Sequence, residues 1–508
     1  MINTQSQPNN DSKTVGICEL KGPISYRGDV PFNPPEIYPE LPFPVEVDVN
    51  NNIYPLVRDF FYSMGWDNEH YGTKDWNPLG SIIKPGEKVV IKPNWVVDVS
   101  EYDMNALITH MSVIRAVADY AWKACGLEGS IEILESPIQK TNWSHLIELT
   151  GAGKTVDYLR AKGMRIGLQD IRTEWFVERD ILNIGGWRLK VFYRKKLSGT
   201  KKGYVKVDVA ENSALQEIKH KHALFRGIQQ WTGKETKKAH NTEHHIYSVP
   251  KEILECDVFI NIPKLKTHRK TGVTLTLKNL VGMVNFKDWL PHYVQGTPDK
   301  GGDEAPSRIQ TYVKLIDKFA IFQFFNKFGF SIRPPKVERF WRKKIESDLH
   351  LLKNVRQANW YGGDTVWRMV YDLNIILFHA NSNGKIESIQ QRKYFSLLDG
   401  IIGGERFGPL DSMPKKSGVI IGGINPALVD FIGTRVMGFD ENKVKMLSKI
   451  REFSKFAFAT DNLHDIIIRT NDEKWKAIVN HPEKVSLSFI PAPGWESHIE
   501  MQPTRENS

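Results

Sequence analysis

The residues best suited to chemistry lie in Lys264-Leu-Lys-Thr-His268 and the segment that continues from it to Asn279. Lys264, Lys266, His268, Arg269, Lys270 and Lys278 crowd positive charge into one short stretch. Mutual repulsion makes such crowding costly unless an anion offsets it, so an anionic ligand is the simplest partner. A lysine among other cations also releases its proton more readily, which suits a Schiff-base nucleophile or general base, with His268 as proton shuttle. In this reading Lys266 and Lys270 grip the anion, His268 transfers protons and Lys278 stabilises developing charge, so Lys266, His268 and Lys278 are the catalytic candidates. A solvated basic loop is the plain alternative.

Four other patterns invite chemistry. Asn94, Trp95 and His110 follow strand ends and line the same cleft if those strands are parallel neighbours. Gly422-Gly423, ahead of a helix start at Asn425-Pro426, offers free backbone N–H groups to an anion, or is a plain turn. Gly151-Ala-Gly-Lys-Thr155 looks like the end of a phosphate-binding loop, but Glu148 stands where that signature needs glycine, and a helix cap is the better reading. His240-Asn-Thr-Glu-His244 satisfies a zinc-protease spacing. Asn241 and Thr242 are poor helix interiors, however, and a weak metal role for His244 with His245, or loop packing, is expected instead. The residues thus name no metal ligand set and no cofactor.

Positioning these groups requires particular elements. Lys88–Lys92 reads as a β-branched strand stopped by Pro93, and the apolar spacing over Val113–Trp122 predicts a helix closed by Gly126. A second strand follows at Ser130–Leu134, a rhythm that implies a parallel sheet with helices on its faces. Cys256–Ile262 is too continuously apolar to have a wet face and is read as a central strand ended by Pro263. Gly418–Ile421 leads to a helix with Asn425 as N-cap, Pro426 at its first position and Gly438 beyond its end. Residues 186–206 alternate like a β-hairpin, and 305–350 read as a helical aromatic and basic insertion. The expected fold is therefore α/β, a largely parallel sheet flanked by helices, carrying that helical insertion and a small β-hairpin insertion. The expected division is a tail over 1–14, a core over 15–300, the insertion over 301–350, the rest of the core over 351–495 and a frayed tail over 496–508.

Bulk properties bound the partners. A charged fraction of 25% and a hydrophobic fraction of 41% are ordinary globular values, which argues against a disordered or membrane-spanning chain. The net charge of +10 favours acidic partners without choosing among phosphate esters, carboxylates, nucleic acid and anionic lipid. Cys18, Cys125 and Cys256 form no CxxC pair, so neither a disulfide framework nor a four-cysteine cluster is available, and a cytoplasmic, reducing setting is expected. The opening residues lack the basic start and apolar run of a secretory signal. Phe319-Ala-Ile-Phe-Gln-Phe-Phe325 with the cations up to Lys344 could rest on an anionic membrane surface, or form a lid.

Several blocks in order resemble the family known as domain of unknown function 362. They include Val89-Val-Ile-Lys-Pro-Asn94, Thr109-His110, Glu135-Ser-Pro-Ile-Gln139, the run from Cys256 to His268, Gly272 to Gly282, Lys287-Asp-Trp-Leu-Pro-His292 with Asp303, and Asn425-Pro426 through Asp430 to Asp440. The resemblance spans residues 88 to 440. It implies that Lys264, Lys266, His268, Lys278 and Asn279 share one site with Asn94 and His110, with Asp303, Asp364 and Asp430 as acidic counterparts. Some members carry appended iron–sulfur cysteine motifs that this chain lacks. The layout is also distantly similar, at the level of fold, to the N-terminal half of nickel-pincer lactate racemases. The leading expectation is an enzyme acting on a small phosphorylated or carboxylated metabolite. A nucleic-acid binder, suggested by tryptophans and phenylalanines near lysines, and a peripheral membrane or assembly factor are the alternatives.

Overall fold

The β-branched run at Lys88 sits beside the apolar run at Val258, and together they make the centre of a ten-stranded sheet. Its strands are β1 (Thr14–Glu19), β2 (Lys88–Pro93), β3 (Ser130–Glu135), β4 (Ile166–Asp170), β5 (Val258–Ile262), β6 (Lys264–His268), β7 (Gly272–Val273), β8 (Lys393–Phe407), β9 (Asp411–Gly423) and β10 (Ile467–Thr470). The order is β10-β1-β9-β8-β5-β2-β3-β4, with β6 paired to β8 and β7 to β6. Strands β8, β5, β2, β3 and β4 are mutually parallel, whereas β9 is antiparallel to both β8 and β1. The computed structural model describes residues 11–184, 187–227, 233–304, 330–333, 358–452 and 465–502.

Successive side chains of a strand face opposite sides of the sheet, and here both sides are covered. Val89, Ile91, Val258, Ile260 and Ile262 join one apolar cluster with α1 (Ile53–Ser63) and α2 (Met111–Cys125). Val90 and Phe259 join the other, built with α3 (Leu275–Asn279), α4 (Val366–His379) and α5 (Pro426–Val436). The helix punctuation follows the sequence. His110 caps α2 by accepting from Ser112 N, and Gly126 ends it at φ 67°. Asn425 accepts from Ala427 N and Leu428 N with Pro426 at the first position of α5.

The segment after Pro263, expected as a loop, is instead a strand. Strand β8 is 15 residues long, so it pairs first with β5 and, beyond Pro263, with β6, aligning Lys264 with Asp399 and Lys266 with Gly404. The proline interrupts the ladder without ending it, because β8 continues to offer backbone partners. All five residues of β6 are buried. The hairpin also lies earlier than its alternation suggests: Glu174–Ile184 pairs with Trp187–Lys196, and Tyr204–Asp208 pairs with Ile246–Pro250. Phe330–Arg333 adds a third strand to it, within the stretch expected to be helical. The remainder of the aromatic and basic insertion, including Phe319 and Lys344, lies outside the described residues. Near the C-terminus Ile499 is buried and Glu500 bridges Phe439, so the region expected to fray is packed up to there. Among the described residues no helix is long and apolar enough to cross a membrane.

Candidate functional site

The carboxyl ends of β2, β3 and β6 converge with α3 on a cavity of about 260 Å³. Its lining carries Lys92, Lys266, Arg269, Lys270, Lys278 and Lys287 against only Glu135 and Asp411, with His268 and His292 beside them. Glu135 already neutralises Lys92 at 3.0 Å and also accepts from Trp95 N and Ser136 N. Gly282 seats this pair, since a Cβ there would be driven into Glu135 Oε1 and Lys92 Nζ.

The remaining cations differ in how they are held. Lys266 Nζ donates to the carbonyls of Leu107 at 2.6 Å and Pro409 at 3.2 Å, and Lys287 Nζ to that of Val281 at 2.7 Å. Lys270 Nζ is buried without a hydrogen-bond partner, above the Tyr293 ring. Lys278 is 6% exposed and has no hydrogen bond or ion pair among the described residues. Burial pushes the amines of Lys278 and Lys287 down to about 7, and Lys266 well below its ordinary value with help from neighbouring lysines. Lys270 is lowered by burial, against the pull of Asp303. Asn94 Oδ1, Ser136 Oγ and Thr274 Oγ1 are also buried and unpartnered along the lining. Buried polar atoms are normally hydrogen-bonded, so these unmet donors and acceptors single out this cavity as the candidate site.

Two imidazoles in the lining are fixed in opposite tautomers. His268 Nδ1 accepts the backbone N–H of Lys270 at 3.0 Å, so in the neutral ring the proton sits on Nε2. His292 Nδ1 lies 2.8 Å from the carbonyl oxygen of Leu290, which can only accept, so Nδ1 carries the proton and Nε2 is a bare lone pair. Both are held well below the ordinary histidine value by burial first and by Lys278 next.

Asn94 and Asn279 join this cavity through an amide chain. Asn94 Nδ2 donates to Asn279 Oδ1 at 2.7 Å, and Asn279 Nδ2 donates to Asn261 Oδ1 at 2.7 Å. Five nominated residues lie outside the cavity lining. Lys264 is buried in an ion pair with Asp399 at 2.9 Å and donates to Tyr26 OH at 2.6 Å. His110 stacks on Tyr26 and lines a separate, more open hollow with Glu148 and Lys154. Asp430 accepts from Thr276 N and Leu277 N, so it anchors the start of α3, the helix that presents Lys278. Asp303 accepts from Val294 N, Asp364 N, Thr365 N and Thr365 Oγ1 ahead of α4. Asp364, in turn, pairs with Arg368 at 2.9 Å.

Lys92, Lys287 and His292 were not singled out as chemical residues from sequence. The signal was present: two of them bracket Lys287-Asp-Trp-Leu-Pro-His292, but their approach to Lys278 depends on the fold. The zinc-protease spacing is not realised, because the helix ends at Ala239, His240 bridges His245, and His244 pairs with Asp208. Among the described residues the sole three-ligand grouping is Asp67, Glu69 and His70, on the surface. The phosphate-loop look-alike joins two helices, Trp143–Thr150 and Ala152–Ala161, through a left-handed Gly151, with no strand before it.

Fold and site together define an α/β protein with a lysine-rich cavity at the carboxyl edge of a mostly parallel sheet. Residues 198–435 match the family model described as Domain of unknown function (DUF362), and that segment is similar to this family. The match contains β6, α3, Lys287 and His292, while Lys92, Asn94 and Glu135 precede it. No curated protein and no solved structure matches the chain.

Proposed function

We propose that this protein is an enzyme acting on a small phosphorylated or carboxylated metabolite held in the lysine-lined cavity. The observation that carries the reading is a pair of amines in a lining where cations outnumber carboxylates: Lys270 Nζ, buried without a hydrogen-bond partner, and Lys278, 6% exposed and without a hydrogen bond or ion pair among the described residues. Burying an unpaired ammonium is strongly unfavourable, and an anion in the cavity relieves it. The cavity volume of about 260 Å³ lies below the range of drug-sized pockets, which supports a compact ligand over a polymer. Lys270, Lys278 and Lys287 supply the charge, Asn94 and Asn279 line one wall, and His268 moves protons. Cys18, Cys125 and Cys256 are all buried and unpaired, which supports a cytoplasmic setting.

Thermal unfolding of the full chain in rising phosphate, pyrophosphate or citrate tests this reading, with chloride as the ionic-strength control. The expected result is stabilisation that grows with the logarithm of ligand concentration and disappears in a Lys270→Met, Lys278→Met double variant. Equal stabilisation of both proteins would remove the reading. Tight, steeply salt-dependent oligonucleotide binding would favour a nucleic-acid role in its place.

A further inference from the structure

We propose that the cavity forms an imine: Lys278 Nζ attacks the carbonyl carbon of a small ketone or aldehyde that carries a carboxylate or phosphate, with His268 as hydrogen-bond donor and His292 as proton carrier. This inference rests on the anion reading above and deepens it.

The argument is geometric. Imine formation requires an unprotonated amine, a hydrogen-bond donor for the carbonyl oxygen and an acceptor for the proton that the nitrogen sheds. All three functions face one cavity. The backbone bond to Nδ1 leaves His268 Nε2–H as a donor, and the Leu290 carbonyl leaves His292 Nε2 as an acceptor. Lys278 lines the same cavity as both rings, and its charge bears on each. The other amines are less suited. Lys266 and Lys287 are committed to carbonyl oxygens, and Lys92 is paired with Glu135. Lys278 has no such commitment, and its burial holds a substantial neutral fraction near neutral pH. Lys270, lowered but drawn toward the carboxylate of Asp303, is left to meet the anionic group of the same substrate.

The step balances without an oxidant or a second reactant. The amine lone pair forms the C–N bond as the carbonyl π pair moves to oxygen, whose charge the Nε2–H of His268 stabilises by a hydrogen bond. His292 Nε2 takes one proton from the nitrogen and delivers it to that oxygen, giving the carbinolamine. A second proton carried the same way, from nitrogen through His292 to oxygen, lets the C–O bond break with loss of water, so amine and carbonyl become imine and water. The imine carbon then draws electrons from the neighbouring carbon, which favours loss of a proton or carboxyl group there.

Reductive trapping tests the proposal on the full-length protein. Pyruvate and glycolaldehyde phosphate are supplied separately with cyanoborohydride, followed by peptide mass mapping; the two arms distinguish a carboxylate from a phosphate requirement. The expected result is an adduct on Lys278 in at least one arm, formed about ten-fold or more faster than on Lys385, whose side chain is 77% exposed. Lys278→Arg should lose the adduct while keeping phosphate-induced stabilisation, and His292→Gln should slow trapping about ten-fold or more. Labelling of Lys278 no faster than Lys385 in wild-type protein, with phosphate stabilisation intact, overturns the imine and leaves the anion site standing. Loss of phosphate stabilisation in the wild-type protein overturns the anion reading itself.

Discussion

Replacing Lys278 by methionine should make the ligand-free protein more stable at neutral pH. The amine is 6% exposed, and burial holds it at about 7 instead of the ordinary 10.5. A lysine whose folded pKa is depressed destabilises the fold wherever the unfolded chain holds the proton more tightly. The penalty is full below about 7, shrinks as pH climbs toward 10.5, and is gone above that. At about pH 7.5, three pH units at about 1.36 kcal/mol each set an upper bound near 4 kcal/mol. Water penetration and local relaxation reduce this to about 1–3 kcal/mol, which methionine, a flexible residue of similar length, should recover. Urea unfolding of both proteins at successive pH values between about 7 and 10 measures the difference. The variant's advantage should fall as pH rises, by up to about 1.4 kcal/mol per unit, and saturating phosphate should narrow it by stabilising the wild type. A variant that is less stable at neutral pH, or an advantage that ignores pH, would refute the claim that Lys278 is a buried amine without a partner.

Two further outcomes probe the scaffold. Gly282→Ala should destabilise by about 3 kcal/mol or more in chemical denaturation, because the new methyl is driven into the Lys92–Glu135 pair and a disrupted buried pair leaves uncompensated charge. Asp399→Asn should cost about 3–5 kcal/mol by stranding Lys264, whose partner is 2.9 Å away, yet leave phosphate-induced stabilisation in place because neither residue lines the cavity.

The local elements could be read from the chain. The β-branched runs at Lys88 and Val258, each bounded by proline, and the Asn425-Pro426 start of α5 are short-range signals, and they appear as strands and helix within a few residues of their expected ends. The density of lysines between Lys264 and Lys278 is equally local. What sequence spacing could not supply is the direction each side chain takes. Lys264 and Lys266 are two positions apart on one strand, yet the register shifts between them; one amine meets Asp399 and the other meets the Leu107 and Pro409 carbonyls. Asp303 and Asp430, read as acidic counterparts of the site, instead receive backbone N–H groups that exist as unsatisfied donors only once the helices have formed.

The residues of this chain by themselves determined an α/β sheet and a surplus of cations beyond its central strand, because β-propensity, proline stops and charge crowding act over a few neighbours. Only the tertiary structure decided which cations remain without partners and which way each imidazole is polarised. Those properties depend on carbonyls and carboxylates from distant segments: Glu135 beside Lys92, Pro409 beside Lys266, and a cavity wall that brings His292 to Lys278.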